Sequence, residues 1–329
     1  MTALLEVKDL TVNFRIGSAM AARLRGQPPP DLKAVDNVSF EVEWSESVGI
    51  VGESGCGKST IAKAIVGLVP ISAGSVELDG QPLTQKRDKA TTRRIQMVFQ
   101  DPGSSLNPSL TVERTLAELL NVHKIVPKKE VPERCGELMD LVELPRSLLR
   151  AYPKRMSGGQ RQRVGIARAL ALNPEILIAD ESVAALDVSV QAPILNLFNS
   201  LRRELGLTVL FISHDLAVVR HVSDRVVVVY LGTVMEDGPT EQVFNDPRHP
   251  YTRALMAAAP KFGVKKEPGK SALTGEPPSA LDLPSGCRFR TRCPLAQDIC
   301  AESEPELAES PTDAEHLVAC HFGWTDPPP

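Results

Sequence analysis

The chain has 329 residues, 42% hydrophobic and 24% charged, enough to bury one large core with a smaller appendage. Its 37 Lys and Arg against 41 Asp and Glu leave a formal net charge of -4, which argues against a nucleic-acid binder working by phosphate neutralisation. Apolar runs such as Val226 to Leu231 are too short to span a bilayer, and the N-terminus lacks a basic segment followed by an apolar stretch. A cytoplasmic chain that reaches any membrane through partners is therefore expected.

Leu4 to Phe14 and Val35 to Val42 read as strands, separated by Gly17 to Lys33, where Pro28-Pro29-Pro30 marks an extended loop. Ser47 to Val51 is a short apolar strand, and Ile61, Ala64, Ile65 and Leu68 recur at helical spacing after it. Ile95 to Phe99 reads as a buried strand, followed by helical patterns over Thr111 to Leu120 and Glu133 to Leu144. Strands at Ile176 to Ala179, Thr208 to Ile212 and Arg225 to Leu231 then alternate with a helix from about Val190 to Glu204. Such alternation predicts an α/β fold whose mainly parallel sheet carries helices on both faces.

Between the strand at 47–51 and the helix that follows lies Gly52-Glu53-Ser54-Gly55-Cys56-Gly57-Lys58-Ser59-Thr60, a Gly-x4-Gly-Lys-Ser/Thr pattern in its required setting. Glycines let backbone N–H groups curl around phosphates, Lys58 can reach the β and γ phosphates, and the Ser59 hydroxyl can complete a Mg²⁺ shell. A nucleoside triphosphate site follows. Ile176 to Ala179 ends in Asp180-Glu181, where Asp180 suits Mg²⁺ and Glu181 suits polarisation of the attacking water. Alone, two acids at a strand end can equally be helix caps.

Ser157-Gly158-Gly159-Gln160-Arg161-Gln162-Arg163 places two glycines behind a serine at a helix start, which permits close approach of an anion, although an ordinary serine cap has the same residues. Here the chain closely resembles the ATP-binding subunits of ABC transporters, over nearly its whole length. The resemblance implies a RecA-like P-loop NTPase fold with a mainly parallel sheet, a helical insertion at about 101–156, an N-terminal antiparallel β subdomain and a small Cys-rich extension. It sets the ATPase domain at 1–240 and the extension at 241–329. It further implies that Ser157, Gly158, Gly159 and Gln160 contact the γ phosphate held by a second subunit. Gln100, after Phe99, then links Mg²⁺ and the attacking water to a transmembrane partner. His214, in Phe211-Ile212-Ser213-His214-Asp215, hydrogen-bonds the γ phosphate, Asp187 is kept from the family segment and belongs to the nucleotide-binding set, and Phe14 stacks on adenine or is simply core.

Three departures from the family pattern stand out. Glu181-Ser182-Val183-Ala184-Ala185-Leu186-Asp187 lacks the usual Pro-Thr-Ser-Ala before Leu-Asp, Ser45 replaces a turn glycine, and Pro193 falls beyond the tolerated first position of a helix if Ser189 is the N-cap.

Gln100-Asp101-Pro102, Ser105-Leu106-Asn107-Pro108, His249-Pro250-Tyr251-Thr252 and Gly275-Glu276-Pro277-Pro278-Ser279 are similar to segments of the dipeptide and oligopeptide importer branch, which also serves nickel and other solutes. The resemblance implies ATP-driven import, a second ATPase subunit that is expected to be non-identical, two permease subunits and an extracytoplasmic substrate-binding protein. The chain would be peripheral at the cytoplasmic face of the membrane and bind no nucleic acid. A soluble ABC protein of translation or DNA maintenance is the alternative, but neither a second cassette nor extended heptads are present.

Four of the six cysteines, Cys287, Cys293, Cys300 and Cys320, fall in the last 43 residues, in a Pro-rich segment poor in apolar residues. Gaps of five, six and nineteen residues are wider than the Cys-x2-Cys knuckles of structural zinc, so a [4Fe–4S] cluster is the first choice, with zinc or free thiols as alternatives. The resemblance supports the cluster. The tail is expected to fold far from the phosphate loop, and Cys56 and Cys135 to be ordinary packed thiols.

Overall fold

The computed structural model describes residues 3–16, 31–99, 106–182, 188–258, 275–309 and 314–323. In chain order its strands are β1 (Leu5–Arg15), β2 (Asp31–Val42), β3 (Ser47–Val51), β4 (Ala73–Leu78), β5 (Gln81–Pro82), β6 (Ile95–Val98), β7 (Ile176–Asp180), β8 (Thr208–Ile212), β9 (Arg225–Tyr230), β10 (Thr233–Pro239), β11 (Ala308–Glu309) and β12 (Leu317–Val318). The helices are α1 (Lys58–Ile65), α2 (Lys89–Arg94), α3 (Val112–Val122), α4 (Val131–Leu141), α5 (Gly158–Leu170), α6 (Val188–Leu205), α7 (Leu216–Val222), α8 (Thr240–Asn245), α9 (Pro250–Ala258) and α10 (Ile299–Glu302). The chain divides into two compact units.

The first unit takes residues 1–41, 48–85 and 214–329. Its antiparallel sheet runs β2-β1-β4-β5, with Leu5 opposite Leu78 and Val7 opposite Val76. Alternation along β1 buries Leu5 and Val7, and again Leu10 and Val12 beyond a register shift between Lys8 and Thr11. A second set runs β11-β12-β10-β9-β3, in which β3 and β9 are parallel and fully apolar at Val48, Ile50, Val226, Val227 and Val228. The tail enters this sheet directly, since Val318 of β12 pairs with Glu236 of β10. Two boundaries differ from expectation. β2 begins at Asp31, so residues 31–33 are strand and not loop, and β9 stops at Tyr230 because Leu231, with φ 44°, turns the chain into β10.

The second unit takes residues 42–47 and 86–213. β8, β7 and β6 are parallel neighbours in that order, with Met97 opposite Ile178 and Ile178 opposite Leu210. Thr111 caps α3 by accepting the Arg114 N–H at 3.3 Å. α4 starts at Val131, earlier than its apolar spacing suggests, because Pro132 is acceptable in a first turn. α6 corrects the expectation for Pro193: the helix already includes Val188 and Ser189, so Ser189 is not the cap, and Pro193 lies inside it without an N–H for the carbonyl four residues back. Ser45 has φ 60°, the left-handed region in which glycine is favoured. Its strain is offset by hydrogen bonds from its N–H to Thr208 Oγ1 (2.9 Å), from its hydroxyl to the Gly206 carbonyl (3.1 Å), and from Arg202 Nε to its own carbonyl (2.9 Å).

Candidate functional site

The glycines of the phosphate loop answer to two close approaches. Gly52 has φ 152° and a Cβ there would lie 2.1 Å from the Val229 carbonyl oxygen; Gly57 has φ 109° and its Cβ would lie 2.4 Å from that of Ala34. No other residue fits either place. Lys58 opens α1 directly after Gly57, so the motif lysine stands at a helix N-terminus, where anions are favoured. Its ammonium is buried and donates to the carbonyls of Gly52 and Glu53, both at 2.8 Å, and to Cys56 Sγ at 3.6 Å. Ser54 and Gly55 are exposed at the crest, while Ser59 and Thr60 are half-buried in the first turn. Cys56 is only 4% exposed, and burial pushes its thiol up despite the neighbouring Lys58, so it is a packed residue that also contacts the motif lysine. Phe14 is half-buried near the end of β1, and His214 is exposed just before Asp215, whose carboxylate caps α7 by accepting the Ala217 N–H at 2.9 Å.

In the second unit, Asp180 ends β7 and is 6% exposed. Glu181 follows at φ 44° and its N–H donates to the Ile212 carbonyl at 2.8 Å. A glutamate in the left-handed region is unusual, and backbone strain of this kind gathers at functional sites. Ser157 and Gln160 form the start of α5, with Gly158 and Gly159 between them, and both side chains engage backbone N–H groups in a capping box. Gln100 and Asp187 lie outside the described residues, as do Val183 and Ala184.

Sequence reasoning missed three residues around the phosphate loop. The Glu53 N–H donates to the Tyr251 hydroxyl at 2.9 Å, and the Glu53 carboxylate receives both arms of the Arg292 guanidinium, at 2.7 and 3.0 Å. Tyr251 is fully buried in a cluster with Tyr230, centroids 4.6 Å apart, and with Phe289 at 5.4 Å. Arg292 also reaches the Tyr230 hydroxyl at 3.2 Å, and Arg288 donates to the Leu231 carbonyl at 2.8 Å and to Asp36. The tail is therefore not remote from the phosphate loop, contrary to expectation. The available signal was Tyr251 inside its Pro-rich motif and Arg292 beside Cys293, but neither carries a recognisable spacing to Gly52.

Cys287, Cys293, Cys300 and Cys320 line one small cavity together with Phe289, Leu295 and Phe322. All six cysteines are free of disulfides. Burial pushes the Cys287 thiol up to about 11, and the other three thiols add to the shift by repulsion. Burial also raises Cys293 and Cys320. Opposing this, the backbone N–H groups of Phe289, Leu295 and Phe322 point at the sulfurs of Cys287, Cys293 and Cys320, two residues back in each case, the last at 3.5 Å. Among the described residues, no three His, Cys, Asp or Glu groups gather tightly enough to hold a single metal ion. The four thiols share this largely apolar cavity, with backbone amide donors aimed at three of the sulfurs.

Residues 35–184 match the ABC transporter family, and residues 235–300 match the C-terminal region of the oligopeptide/dipeptide transporter family. The chain is 47% identical over 327 residues to the oligopeptide transport ATP-binding protein AppF of Bacillus subtilis, covering 97% of each. It is 49% identical over 323 residues to the oligopeptide transport ATP-binding protein OppF of Escherichia coli, covering 96% of this chain and 95% of that one. Among solved structures, cbiO1 of Clostridium perfringens, part of the ABC transporter complex cbiONQ, superposes with TM-score 0.64 at 27% identity, covering 75% of this chain and 92% of that one. The ATP-binding cassette MJ0796 bound to ADP and Pi, a dimer in a post-hydrolysis state, gives TM-score 0.62 at 30% identity, covering 72% and 98%. With a P-loop at a helix start, paired acids after β7 and matches that run from end to end, this chain belongs to the ABC transporter ATP-binding proteins, in the branch that carries the oligopeptide/dipeptide C-terminal region.

Proposed function

We propose that the chain is the ATP-hydrolysing subunit of an importer for di- and oligopeptides, with 1–240 as its ATPase domain and 241–329 as the branch-specific extension. The observation that carries the substrate class is the match of residues 235–300 to the oligopeptide/dipeptide transporter C-terminal region, which ATP hydrolysis alone does not require. Relatives named for oligopeptide transport at 47% and 49% identity over nearly the whole length support it. In this reading the chain lies at the cytoplasmic face of a membrane and pairs with a second, non-identical ATPase subunit. It works through two permease subunits, with a substrate-binding protein on the far side. No helix among the described residues is long and apolar enough to cross a membrane.

Lys58, with Gly52 and Ser54 to Thr60, would hold the β and γ phosphates, with Phe14 against the adenine. Ser59, Asp180 and Gln100 would hold Mg²⁺, which neutralises charge on the phosphates. Glu181 would polarise the attacking water and His214 would hydrogen-bond the γ phosphate. Ser157 to Gln160 and Asp187 would face the ATP carried by the other subunit. In the tail, four thiolates would hold a [4Fe–4S] cluster, a reading supported by the shared cavity and the amide donors aimed at three sulfurs.

Uptake by proteoliposomes of the assembled transporter tests the cargo. Binding-protein-dependent uptake of labelled peptides that stops with Glu181→Gln is expected. Uptake of nickel or a sugar without peptide would move the chain to another substrate of the same branch, and recovery with ribosomes in place of permeases would replace import altogether.

A further inference from the structure

We infer that Arg292, in the cysteine-rich extension, is a positioning residue of the ATP site, acting on the phosphate loop through Glu53. The inference rests on reading residues 52–60 as that loop. Glu53 is the first variable residue after Gly52, and all three of its polar functions are held. Its carbonyl accepts the Lys58 ammonium at 2.8 Å, its N–H donates to the Tyr251 hydroxyl at 2.9 Å, and its carboxylate is clasped by Arg292 at 2.7 and 3.0 Å. Two of these three restraints come from residues 251 and 292, far along the chain.

The clasp is built to be rigid. A planar fork meeting both carboxylate oxygens fixes direction as well as distance, which a lysine cannot reproduce. The Arg292 side chain is 5% exposed and that of Glu53 is 24% exposed, so solvent screens the pair only in part. Arg292 lies 5.8 Å from the Tyr230 ring centre and 6.0 Å from that of Phe289, and it also donates to the Tyr230 hydroxyl, so the aromatic cluster restricts its rotamers.

A second consequence is electrostatic. A loop that binds triphosphate gains nothing from a carboxylate of its own, and a bare Glu53 would repel the incoming anion. Arg292 neutralises that charge. Removing the guanidinium should therefore do two things: free the backbone that aims the Lys58 acceptors, and expose an unpaired negative charge beside the phosphates. The second effect is removable by a second substitution, whereas a general folding defect is not.

The test uses the full-length chain, alone for binding of a fluorescent ATP analogue and in the assembled transporter for kcat and KM. Arg292→Gln should raise the Kd and the ATP KM on the order of tenfold, the range expected for losing a hydrogen-bonded charged partner, with kcat at saturating ATP within about twofold of wild type. Glu53→Gln combined with Arg292→Gln should recover most of the affinity, and Arg292→Lys should fall between wild type and Arg292→Gln. Unchanged affinity in Arg292→Gln would overturn the inference. So would a double variant no better than the single, with kcat falling in step with thermal stability. If Arg292→Gln cannot be purified, Tyr251→Phe, which keeps the ring and removes the Glu53 N–H acceptor, should raise KM several-fold, and wild-type affinity there would overturn it equally. Lys58→Ala is the control: normal ATP binding in that variant would defeat the phosphate-loop reading itself.

Discussion

Ser157 and Gln160 hydrogen-bond one another twice, the Gln160 N–H to Ser157 Oγ at 3.2 Å and the Ser157 N–H to Gln160 Oε1 at 3.0 Å. Both of these side chains, at the two ends of the Ser157 to Gln160 segment, are thus engaged in closing the start of α5. Ser157→Ala should cost about 1 kcal/mol through the lost cap alone, so its effect on turnover mixes folding with chemistry. Ser157→Asp separates them. Aspartate caps a helix as well as serine does, so the thermal midpoint should stay close to wild type, while a new carboxylate facing the other subunit's γ phosphate should abolish ATPase activity. A stable Ser157→Asp protein that turns over normally would remove the segment from the site.

The same segment is proposed to act across the dimer, which predicts asymmetry. In a dimer of a Ser157→Asp chain with its unmodified partner ATPase, the lost activity should belong to the site whose phosphate loop sits on the partner. Substituting the phosphate-loop lysine of either subunit allows this to be read. An alanine in place of the partner's own phosphate-loop lysine should leave the remaining turnover unchanged, since it falls on the site already lost. Lys58→Ala in the Ser157→Asp chain should remove what remains. Full-rate hydrolysis by an isolated monomer would contradict a shared site.

Two substitutions should divide binding from chemistry. Lys58 is a buried ammonium with three acceptors from residues 52, 53 and 56, and Lys58→Ala removes both the cation facing the phosphates and the tie that shapes the loop. ATP affinity should fall at least tenfold. Glu181→Gln keeps the shape of a side chain whose backbone is already held at φ 44° by the bond to Ile212, so ATP binding should persist. Turnover should drop by a factor on the order of 10² or more, because the amide cannot polarise water, and the dimer should stay closed on size exclusion with ATP and Mg²⁺. Near-wild-type hydrolysis in a preparation free of contaminating ATPases would refute the role given to Glu181.

What could be read from the sequence was whatever depends on local spacing. The Gly52 to Thr60 loop, the parallel strands at 95–98, 176–180 and 208–212, and the helix opening at Gly158 all follow from motif and apolar period within a few residues. Boundaries slipped where one residue type overrode the pattern: Pro132 is tolerated in a first turn, Leu231 turns the chain with φ 44°, and Pro193 is carried inside a helix of 18 residues. The contact between Arg292 and Glu53 was not legible, because a sequence separation of 239 lies between two charges that no periodicity relates. The pairing of the tail with β10, the Arg288 bonds to Leu231 and Asp36 and the burial of Tyr251 bring them together.

That contact changes what the tail should do when its cysteines are disturbed. Cys293 lies next to Arg292, and the Cys287 N–H donates to the Cys300 carbonyl at 2.8 Å, so the segment carrying the clasp is also the one that lines the thiol cavity. Chain purified without oxygen should be brown and contain iron and acid-labile sulfide, and Cys293→Ser should lose both. Without ligation the apolar-poor tail should become protease-sensitive, since the free energy of binding a metal centre is then free energy of folding. The ATP KM should rise with it, by an amount approaching that of Arg292→Gln, because a loosened tail cannot hold Glu53. Stoichiometric zinc without sulfide would reassign the centre to zinc held by the same thiolates. Metal-free protein whose tail is equally protected would sink ligation, and a protease-sensitive tail with unchanged ATP affinity would separate the cysteines from the phosphate loop.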